Sequence, residues 1–263
     1  MSHELLYNQA KQWVKEAGEK IRNYLREGDI RFEAKSRLND LVTDMDRGVE
    51  RFLVEKIKAY DPDHLVYGEE GIVQKPDHFN GYVWLIDPID GTSNFVSQQC
   101  DFVISVGLYL DGQGVLAIIY DVTRGEMIHA LRGKGVYCNE QKCKPLSGDL
   151  ALIDSLVSLE CIFHDPSWEE NGWHLMELGR QARGIRIYGA SALALAKVAT
   201  GKNGAFLTTG TNAWDYGAGK ILVEEAGGIV TDFHGRELPL GQRSSVIASH
   251  PALHNELLNW VNK

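Results

Sequence analysis

The sequence predicts a chain in two parts: an α+β half with an antiparallel sheet over residues 1–145, and an alternating α/β half over residues 146–263. Three patterns give this prediction. Apolar residues recur at helical spacing near the N-terminus, they alternate at strand spacing in the middle, and strands alternate with helices toward the C-terminus. The length fits one large domain or two modest ones. No linker-like segment separates the halves, so we expect a tight interface between them.

Two helices begin the N-terminal half. Apolar residues at steps of three and four, among them Trp13 and Ile21, predict an amphipathic helix over residues 3–27. A similar pattern predicts a second helix over residues 44–60. Asp61-Pro62 ends it, because a residue that precedes proline is disfavoured in the α conformation.

Five strands are predicted next, from the apolar runs HLVYGEE, YVWLID, FVISVGLYL, GVLAIIYD and GEMIHAL. In the third run, apolar residues alternate from Phe102 to Leu110. Turn signals such as Asp111-Gly112 separate the later runs and are typical of hairpins. Because the connections are short, we expect an antiparallel meander.

In the C-terminal half, predicted strands alternate with predicted helices. The runs DSLVSLE, GIRIYG and GAFLTT each precede a helical pattern, the first of these over residues 168–181. The runs GIVTDF and SVIAS and a last helix follow. This alternation predicts crossover units.

Composition excludes several classes of function. Hydrophobic residues make up 44% and charged residues 24%, which is ordinary for a globular protein. The net charge of −9 argues against a nucleic-acid partner, which needs a basic face. No apolar run approaches the roughly 20 residues of a membrane span, and no signal peptide is evident, so we expect a cytoplasmic protein with no membrane partner. The four cysteines form no CxxC pair and are expected to be reduced.

Acidic side chains follow two of the predicted strands. Asp87 and Asp90 follow the run WLI, and Glu69 and Glu70 follow the preceding strand. The segment DPIDG alone is also compatible with an ordinary turn. Clustered carboxylates raise one another's pKa unless a cation neutralises them, and oxygen ligands without histidine or cysteine favour Mg²⁺. A calcium EF-hand is excluded, because the twelfth residue counted from Asp87 is Gln98 and not glutamate.

The next residues, Gly91, Thr92 and Ser93, suit a phosphate. A glycine lets the backbone approach a ligand closely, and amides that begin a helix bind anions. The Thr92 hydroxyl is also able to orient a water. An ordinary helix N-cap at Thr92 or Ser93 explains the same residues equally well, and Asp215 in NAWDYGAGK is likewise compatible with a simple cap.

Four motifs in register resemble the signature set of the inositol monophosphatase family, Mg²⁺-dependent and lithium-inhibited phosphatases, and most resemble its bacterial members. They are NDLVTDMD (39–46), GEE (68–70), WLIDPIDGTSNF (84–95) and NAWDYGAGKILVEEAGG (212–228). The resemblance extends from Lys35 to about residue 250. It implies a layered αβαβα sandwich with the site where the halves meet, a homodimer, and hydrolysis of a small-molecule phosphomonoester such as inositol 1-phosphate by a metal-activated water.

The resemblance also implies a ligand set for two or three Mg²⁺ ions. Glu69, Asp87 and the carbonyl of Ile89 would hold one ion. Asp87, Asp90 and Asp215 would hold a second, and Glu69 would contribute to a third.

Further roles are implied in the same way. The attacking water would lie near Glu69 and Thr92, and Asp46 would orient Thr92 through a hydrogen bond. The implied substrate contacts are Lys35, Asp90, Gly91, Thr92, Gly189, Ala190, Ser191 and Asp215.

One position departs from the family pattern. Thr208 stands seven residues before Asp215, where animal members have a glutamate that contacts the inositol ring. A hydroxyl does not replace the two acceptor oxygens of a carboxylate. The substrate therefore stays open among inositol 1-phosphate, fructose 1,6-bisphosphate and the 2′-phosphate of NADP.

Two rival interpretations remain at this point. A haloacid-dehalogenase-type phosphatase also has an acidic motif, DxDGT, after a buried strand, but here two residues rather than one separate the aspartates. The other rival is a non-catalytic relative that keeps the fold and binds metal.

Overall fold

The computed structural model describes residues 2–28, 30–34, 41–160 and 175–263. Lys35 lies outside these residues, as do Cys161 and the first part of the helix predicted over 168–181. The other three cysteines are free thiols, as expected. No helix within the described residues combines the length and apolar composition that crossing a bilayer requires.

Two long helices cover one face of the N-terminal sheet, with the bounds that the sequence predicts. Helix α1 spans His3–Glu27; the Ser2 side chain accepts the Glu4 amide at its start, and Gly28 ends it with a φ of 78°. Helix α2 spans Asp44–Tyr60. Its first turn is fixed by a capping box, in which Thr43 and Asp46 each bind the other's backbone N–H.

The N-terminal sheet has seven strands in the order β3-β4-β5-β6-β7-β8-β9. They are β3 (Leu65–Gly68), β4 (Tyr82–Asp90), β5 (Val103–Leu110), β6 (Gln113–Asp121), β7 (Glu126–Leu131), β8 (Val136–Cys138) and β9 (Gln141–Lys142). A separate antiparallel pair, β1 (Phe32–Ala34) and β2 (Leu41–Thr43), was not predicted.

The prediction of an antiparallel meander is wrong for the first pair of strands. Strand β3 pairs with β4 in parallel, whereas β4 to β9 are antiparallel throughout. The connection over residues 69–81 is long enough for the crossover that a parallel pair needs, while a hairpin needs only a few residues. This parallel pair brings the C-terminal ends of both strands to the same edge of the sheet.

The C-terminal sheet has five strands in the order β11-β10-β12-β14-β13. They are β10 (Leu156–Glu160), β11 (Gly184–Arg186), β12 (Ala205–Thr211), β13 (Ile229–Thr231) and β14 (Ser244–Ser249). Strands β10, β11 and β12 are parallel, as crossover units require, but β14 is antiparallel to both β12 and β13. All five strands lie where the sequence predicts them, and the prediction of crossover units is wrong only for β14, which is antiparallel to both of its neighbours.

The remaining helices lie between and outside the sheets. They are α3 (Thr92–Gln98), α4 (175–181), α5 (Ser191–Ala199), α6 (Ala213–Glu225) and α7 (His254–Val261), with a 3₁₀ turn at Leu152–Asp154. Helices α5 and α6 contact both sheets, whereas α1 and α2 pack on the first sheet and α7 packs on the second.

Three apolar clusters hold five layers together. One joins α1 and α2 to the first sheet, one holds α5 and α6 between the two sheets, and one joins the second sheet to α4 and α7. The central cluster contains buried residues from both halves of the chain, for example Leu85 and Phe206. The layered αβαβα sandwich is confirmed.

Candidate active site

The parallel pair β3 and β4 places two acidic side chains side by side. Glu69 directly follows β3, and its backbone N–H donates to the Ile86 carbonyl of β4 at 3.1 Å. Asp87, one residue further along β4, is almost fully buried, with 1% of its surface exposed. Its carboxylate accepts the N–H of Ile89 at 3.0 Å, which fixes the side chain within its own turn.

Asp215 reaches the same place from the other half of the chain. It is the third residue of α6, and its carboxylate accepts the N–H of Asn212, the N-cap residue, at 2.8 Å. The Thr211 hydroxyl donates to the same carboxylate oxygen. Asp215 thus lies within the first turn of the helix, not at the N-cap, and its carboxylate stabilises that turn while it faces Asp87.

Glu69, Asp87 and Asp215 form a compact group of carboxylates. One oxygen from each lies within 4.8 Å of the oxygens of the other two, a spacing that a single cation can bridge. Burial raises the pKa of Asp87 well above its ordinary value, and the charges of Glu69, Asp90 and Asp215 raise it further. An all-oxygen donor set whose mutual repulsion a cation would relieve fits a hard divalent ion.

Asp90 lies beside this group but is held differently. A bulge separates it from Asp87 in β4. Its two oxygens accept N–H groups at the start of α5, from Ser191 at 3.1 Å, Ala192 at 2.7 Å and Leu193 at 3.3 Å. Burial and the charge of Asp215 raise the pKa of Asp90, while the amides of α5 oppose the rise. Each oxygen has two lone pairs, so these bonds leave acceptor capacity for a cation.

Thr92 and Asp46 are in contact. The Thr92 hydroxyl lies 3.1 Å from an Asp46 oxygen and 3.1 Å from the Ile89 carbonyl, and it donates its one proton to either. The other Asp46 oxygen accepts the Thr43 amide at 2.8 Å and the Thr43 hydroxyl. Because both acceptors compete for one hydroxyl proton, the lone pairs of Thr92 are left to accept a hydrogen bond from a water.

A cavity of about 200 Å³ opens above these groups. Of the residues that the sequence assigns to the site, its lining includes Glu69, Asp87, Ile89, Asp90, Gly91, Thr92, Gly189 and Asp215. The N-cap residue of α3 is Gly91, which has no side chain to accept the first amides of that helix.

The other described residues that the sequence assigns to the site are not among those that line the cavity. Ala190 is buried, and its Cβ lies 3.1 Å from where a Cβ on Gly91 would be. Ser191 takes part through its backbone N–H, which Asp90 accepts. Asp46 lies behind Thr92, and Lys35 is outside the described residues. Thr208, also fully buried, is paired with Glu160 across β12 and β10.

Two further carboxylates near the site were missed in the sequence. Glu160 accepts the N–H of Gly189 at 3.2 Å, and burial raises its pKa to about 7 against the opposing effect of nearby backbone N–H groups. It ends a predicted strand, the same signal that selected Glu69 and Asp87. Glu50 lies on α2 four residues after Asp46, so helical periodicity alone would have placed both on one face.

Comparisons with known proteins agree with this arrangement. The model of the inositol monophosphatase family matches residues 2–263. The inositol-1-monophosphatase of Bacillus subtilis is 38% identical over 94% of this chain and 93% of the relative. A Thermotoga maritima protein named fructose-1,6-bisphosphatase/inositol-1-monophosphatase is 34% identical over 88% of this chain and 86% of the relative.

Solved structures give the same result. SaIMPase-II with inositol monophosphate bound superposes with a TM-score of 0.84 at 32% identity, over 98% of this chain and 94% of that one. An IMPase/NADP phosphatase complexed with Mg²⁺ and phosphate gives 0.89 at 26% identity, over 100% and 97%. A staphylococcal inositol monophosphatase-1 in a LiCl-soaked inhibitory complex gives 0.89 at 26% identity, over 100% and 96%.

The family match covers nearly the whole chain and excludes the haloacid-dehalogenase alternative. It agrees with a fold in which acidic side chains from three separate segments, at residues 69, 87–90 and 215, meet around one cavity. The chain belongs to the inositol monophosphatase family.

Proposed function

We propose that this chain is a Mg²⁺-dependent phosphomonoesterase that hydrolyses a phosphorylated sugar alcohol, with inositol 1-phosphate as the first candidate. The observation that carries the proposal is the convergence of Glu69, Asp87 and Asp215 within 4.8 Å, in the same cavity as Thr92. Water adds to phosphorus, the ester bond from phosphorus to the alcohol oxygen breaks, and the products are inorganic phosphate and the free alcohol.

The proposed metal ligands are those the family resemblance implies. Glu69, Asp87 and the Ile89 carbonyl would hold one ion, and Asp87, Asp90 and Asp215 a second, with a third beside Glu69. Divalent cations bound there would neutralise the carboxylates, lower the pKa of a water and stabilise charge on the leaving oxygen. Two observations support a hard cation: the donor atoms are all oxygens, and the pKa of Asp87 is raised when no cation neutralises the cluster.

The remaining chemistry is positioning by the protein. When the Thr92 hydroxyl donates its hydrogen bond to Asp46, the threonine oxygen is free to accept a hydrogen bond from the attacking water and so to orient it. Gly91 has a φ of 96° and no side chain, so the backbone at the start of α3 can approach a phosphate closely. Phosphoryl transfer depends mainly on such positioning and on charge stabilisation, so no nucleophilic side chain is required.

The identity of the alcohol is the less constrained part of the proposal. Gly189 lines the cavity, and Ala190 and Ser191 follow it at the start of α5, so this segment is proposed to meet the alcohol. Thr208 supplies no carboxylate for a polyol. Fructose 1,6-bisphosphate and the 2′-phosphate of NADP therefore stand as alternatives, in keeping with the names of two relatives.

A substrate panel tests the proposal. Phosphate release from inositol 1-phosphate, fructose 1,6-bisphosphate and NADP is measured at fixed Mg²⁺, with Asp87→Asn as the matched control for a contaminating phosphatase. We expect turnover of at least one substrate by the wild type and a rate at least about 10²-fold lower in the variant. Failure on all three would overturn the substrate class and favour the non-catalytic alternative. Equal rates in the variant would also overturn the proposal, because the activity would then come from a contaminating phosphatase or from a site that does not need Asp87.

Four further features are also proposed. We expect lithium to inhibit the turnover, since a structure of one relative is a LiCl-soaked inhibitory complex. A homodimer is expected from the family resemblance, and light scattering after gel filtration would show twice the mass of the chain. The division at residue 145 and the cytoplasmic location stay predictions, the latter checked by cell fractionation.

A further inference from the structure

A buried carboxylate lies beneath the segment that carries Glu69. Glu50, in the middle of α2, is fully buried, with 0% of its surface exposed. One of its oxygens accepts the N–H of Glu70 at 2.7 Å, and the other accepts the N–H of Ile72 at 2.9 Å. Burying a carboxylate is costly unless it is hydrogen-bonded, and here the backbone N–H groups of one short loop provide those bonds.

Gly68 is the residue that makes room for this carboxylate. A Cβ added to Gly68 would lie 2.5 Å from both Cδ and Oε2 of Glu50 and 2.7 Å from Oε1. Those distances are shorter than any van der Waals contact allows, and they involve a buried, hydrogen-bonded group. The first residue of the Gly68-Glu69-Glu70 motif is therefore a glycine because Glu50 packs against its backbone.

Glu69 is consequently held from both sides. Its own N–H donates to the Ile86 carbonyl of β4 at 3.1 Å, and the next N–H along the chain donates to Glu50. With the backbone fixed before and after it, the Glu69 side chain is directed toward Asp87 and Asp215.

The same helix also fixes the second motif of the site. Asp46 and Glu50 are four residues apart on α2, so they lie on one face of the helix. Both are buried, and Asp46 accepts the Thr92 hydroxyl while Glu50 accepts the loop amides. One helix thus holds both the loop that carries Glu69 and the turn that carries Thr92.

We propose that Glu50 is a positioning residue that raises the metal affinity of the site by fixing the backbone around Glu69. A carboxylate is needed, because a glutamine has one acceptor oxygen and its NH₂ group would face one of the two backbone N–H donors. The inference rests on the proposed function, since it assumes that Glu69 binds a metal.

The test compares Glu50→Gln with Glu225→Gln. Glu225, at the other end of α6, also accepts two loop N–H groups, from Gly133 and Gly135 at 2.9–3.1 Å, so it is a matched control remote from the cavity. Metal binding is measured by titration calorimetry with Mg²⁺ and Mn²⁺, after circular dichroism has shown that each variant is folded. The Mg²⁺ dependence of turnover is measured in parallel.

We expect Glu50→Gln to bind metal at least about tenfold more weakly, the lower end of the effect of losing a group that orients a metal ligand. Most of the lost rate should return at high Mg²⁺, and Glu225→Gln should bind as the wild type does. A folded Glu50→Gln protein with wild-type affinity would overturn the inference. If the wild type itself binds no metal, the proposed function fails instead.

A second variant separates position from charge and covers the case in which Glu50→Gln does not fold. Gly68→Ala keeps every charge but pushes the Glu50 carboxylate away from the loop amides. The same weakening of metal binding is expected. Wild-type affinity in Gly68→Ala would overturn the proposal, because the carboxylate would then matter only through its charge or not at all.

Discussion

Replacing Asp87 with asparagine should have opposite effects on stability with and without metal. The carboxylates of Glu69, Asp87 and Asp215 lie within 4.8 Å of one another. At that distance, two ionised groups repel by about 3.5 kcal/mol if the effective dielectric constant is about 20. Protonation limits how much of this repulsion the metal-free protein experiences, which is why the pKa of Asp87 is raised.

Asparagine imitates the protonated form of Asp87. Its oxygen can still accept the Ile89 N–H, and its NH₂ group can donate to Glu69, so no cavity or unpaired group is created. In metal-free protein at pH 8, we therefore expect the variant to be more stable than the wild type by about 1–3 kcal/mol, a fraction of the repulsion removed.

Added Mg²⁺ should reverse the order. A ligand present at 100 times its Kd stabilises the folded state by about 2.7 kcal/mol, which raises the Tm of a chain of this size by roughly 5–10 °C. The wild type should show this gain and Asp87→Asn should not, while turnover falls at least about 10²-fold. Thermal melts in EDTA and in Mg²⁺ check whether the variant is the more stable protein without metal and the less stable one with it. A variant that is less stable in EDTA yet gains stability from Mg²⁺ would refute the reasoning.

Variants at four further residues test other parts of the site. Thr92→Val should lower kcat by about 10–100-fold with little change in KM. The double variant Thr92→Val/Asp46→Asn should have the same kcat as the single variants, because each substitution removes the same function, the orientation of the attacking water. Gly91→Ala should destabilise the protein by about 1–3 kcal/mol in denaturant unfolding, since φ is 96° and the new Cβ meets Ala190; wild-type stability would contradict this. The pKa of Glu160 is about 7 in the folded protein, above its ordinary value, so the free energy of unfolding of the wild type should fall as pH rises from about 4.5 to 7. That fall should be shallower in Glu160→Gln by up to about 3 kcal/mol, and parallel pH profiles would refute it.

Local patterns predicted much of the fold. Helices α1 and α2 have the bounds predicted from apolar periodicity and from the proline after Asp61, because both signals act within a few residues. Alternation of apolar residues located β5, β6 and β7. It could not reveal that β3 and β4 are parallel, since a strand has the same side-chain period in either direction.

The site was predicted unevenly for the same reason. Acidic residues at strand ends are visible in a sequence, and this pattern selected Glu69, Asp87 and Asp90. Asp90 accepts hydrogen bonds from the amides of α5, which lie about 100 positions away in the sequence, so no local pattern predicts these partners. In the sequence, Glu50 is an ordinary acidic residue of an amphipathic helix. Its role becomes visible only in the fold, which packs the loop carrying Glu69 and Glu70 against it.

The most direct test of the account is a crystal structure of the wild-type protein soaked with Mn²⁺, with the ions located by their anomalous scattering. The account predicts at least one strong peak bridging the carboxylates of Glu69 and Asp87, and a second contacted by Asp215. Peaks only elsewhere on the surface, or none near these carboxylates at saturating Mn²⁺, would contradict it.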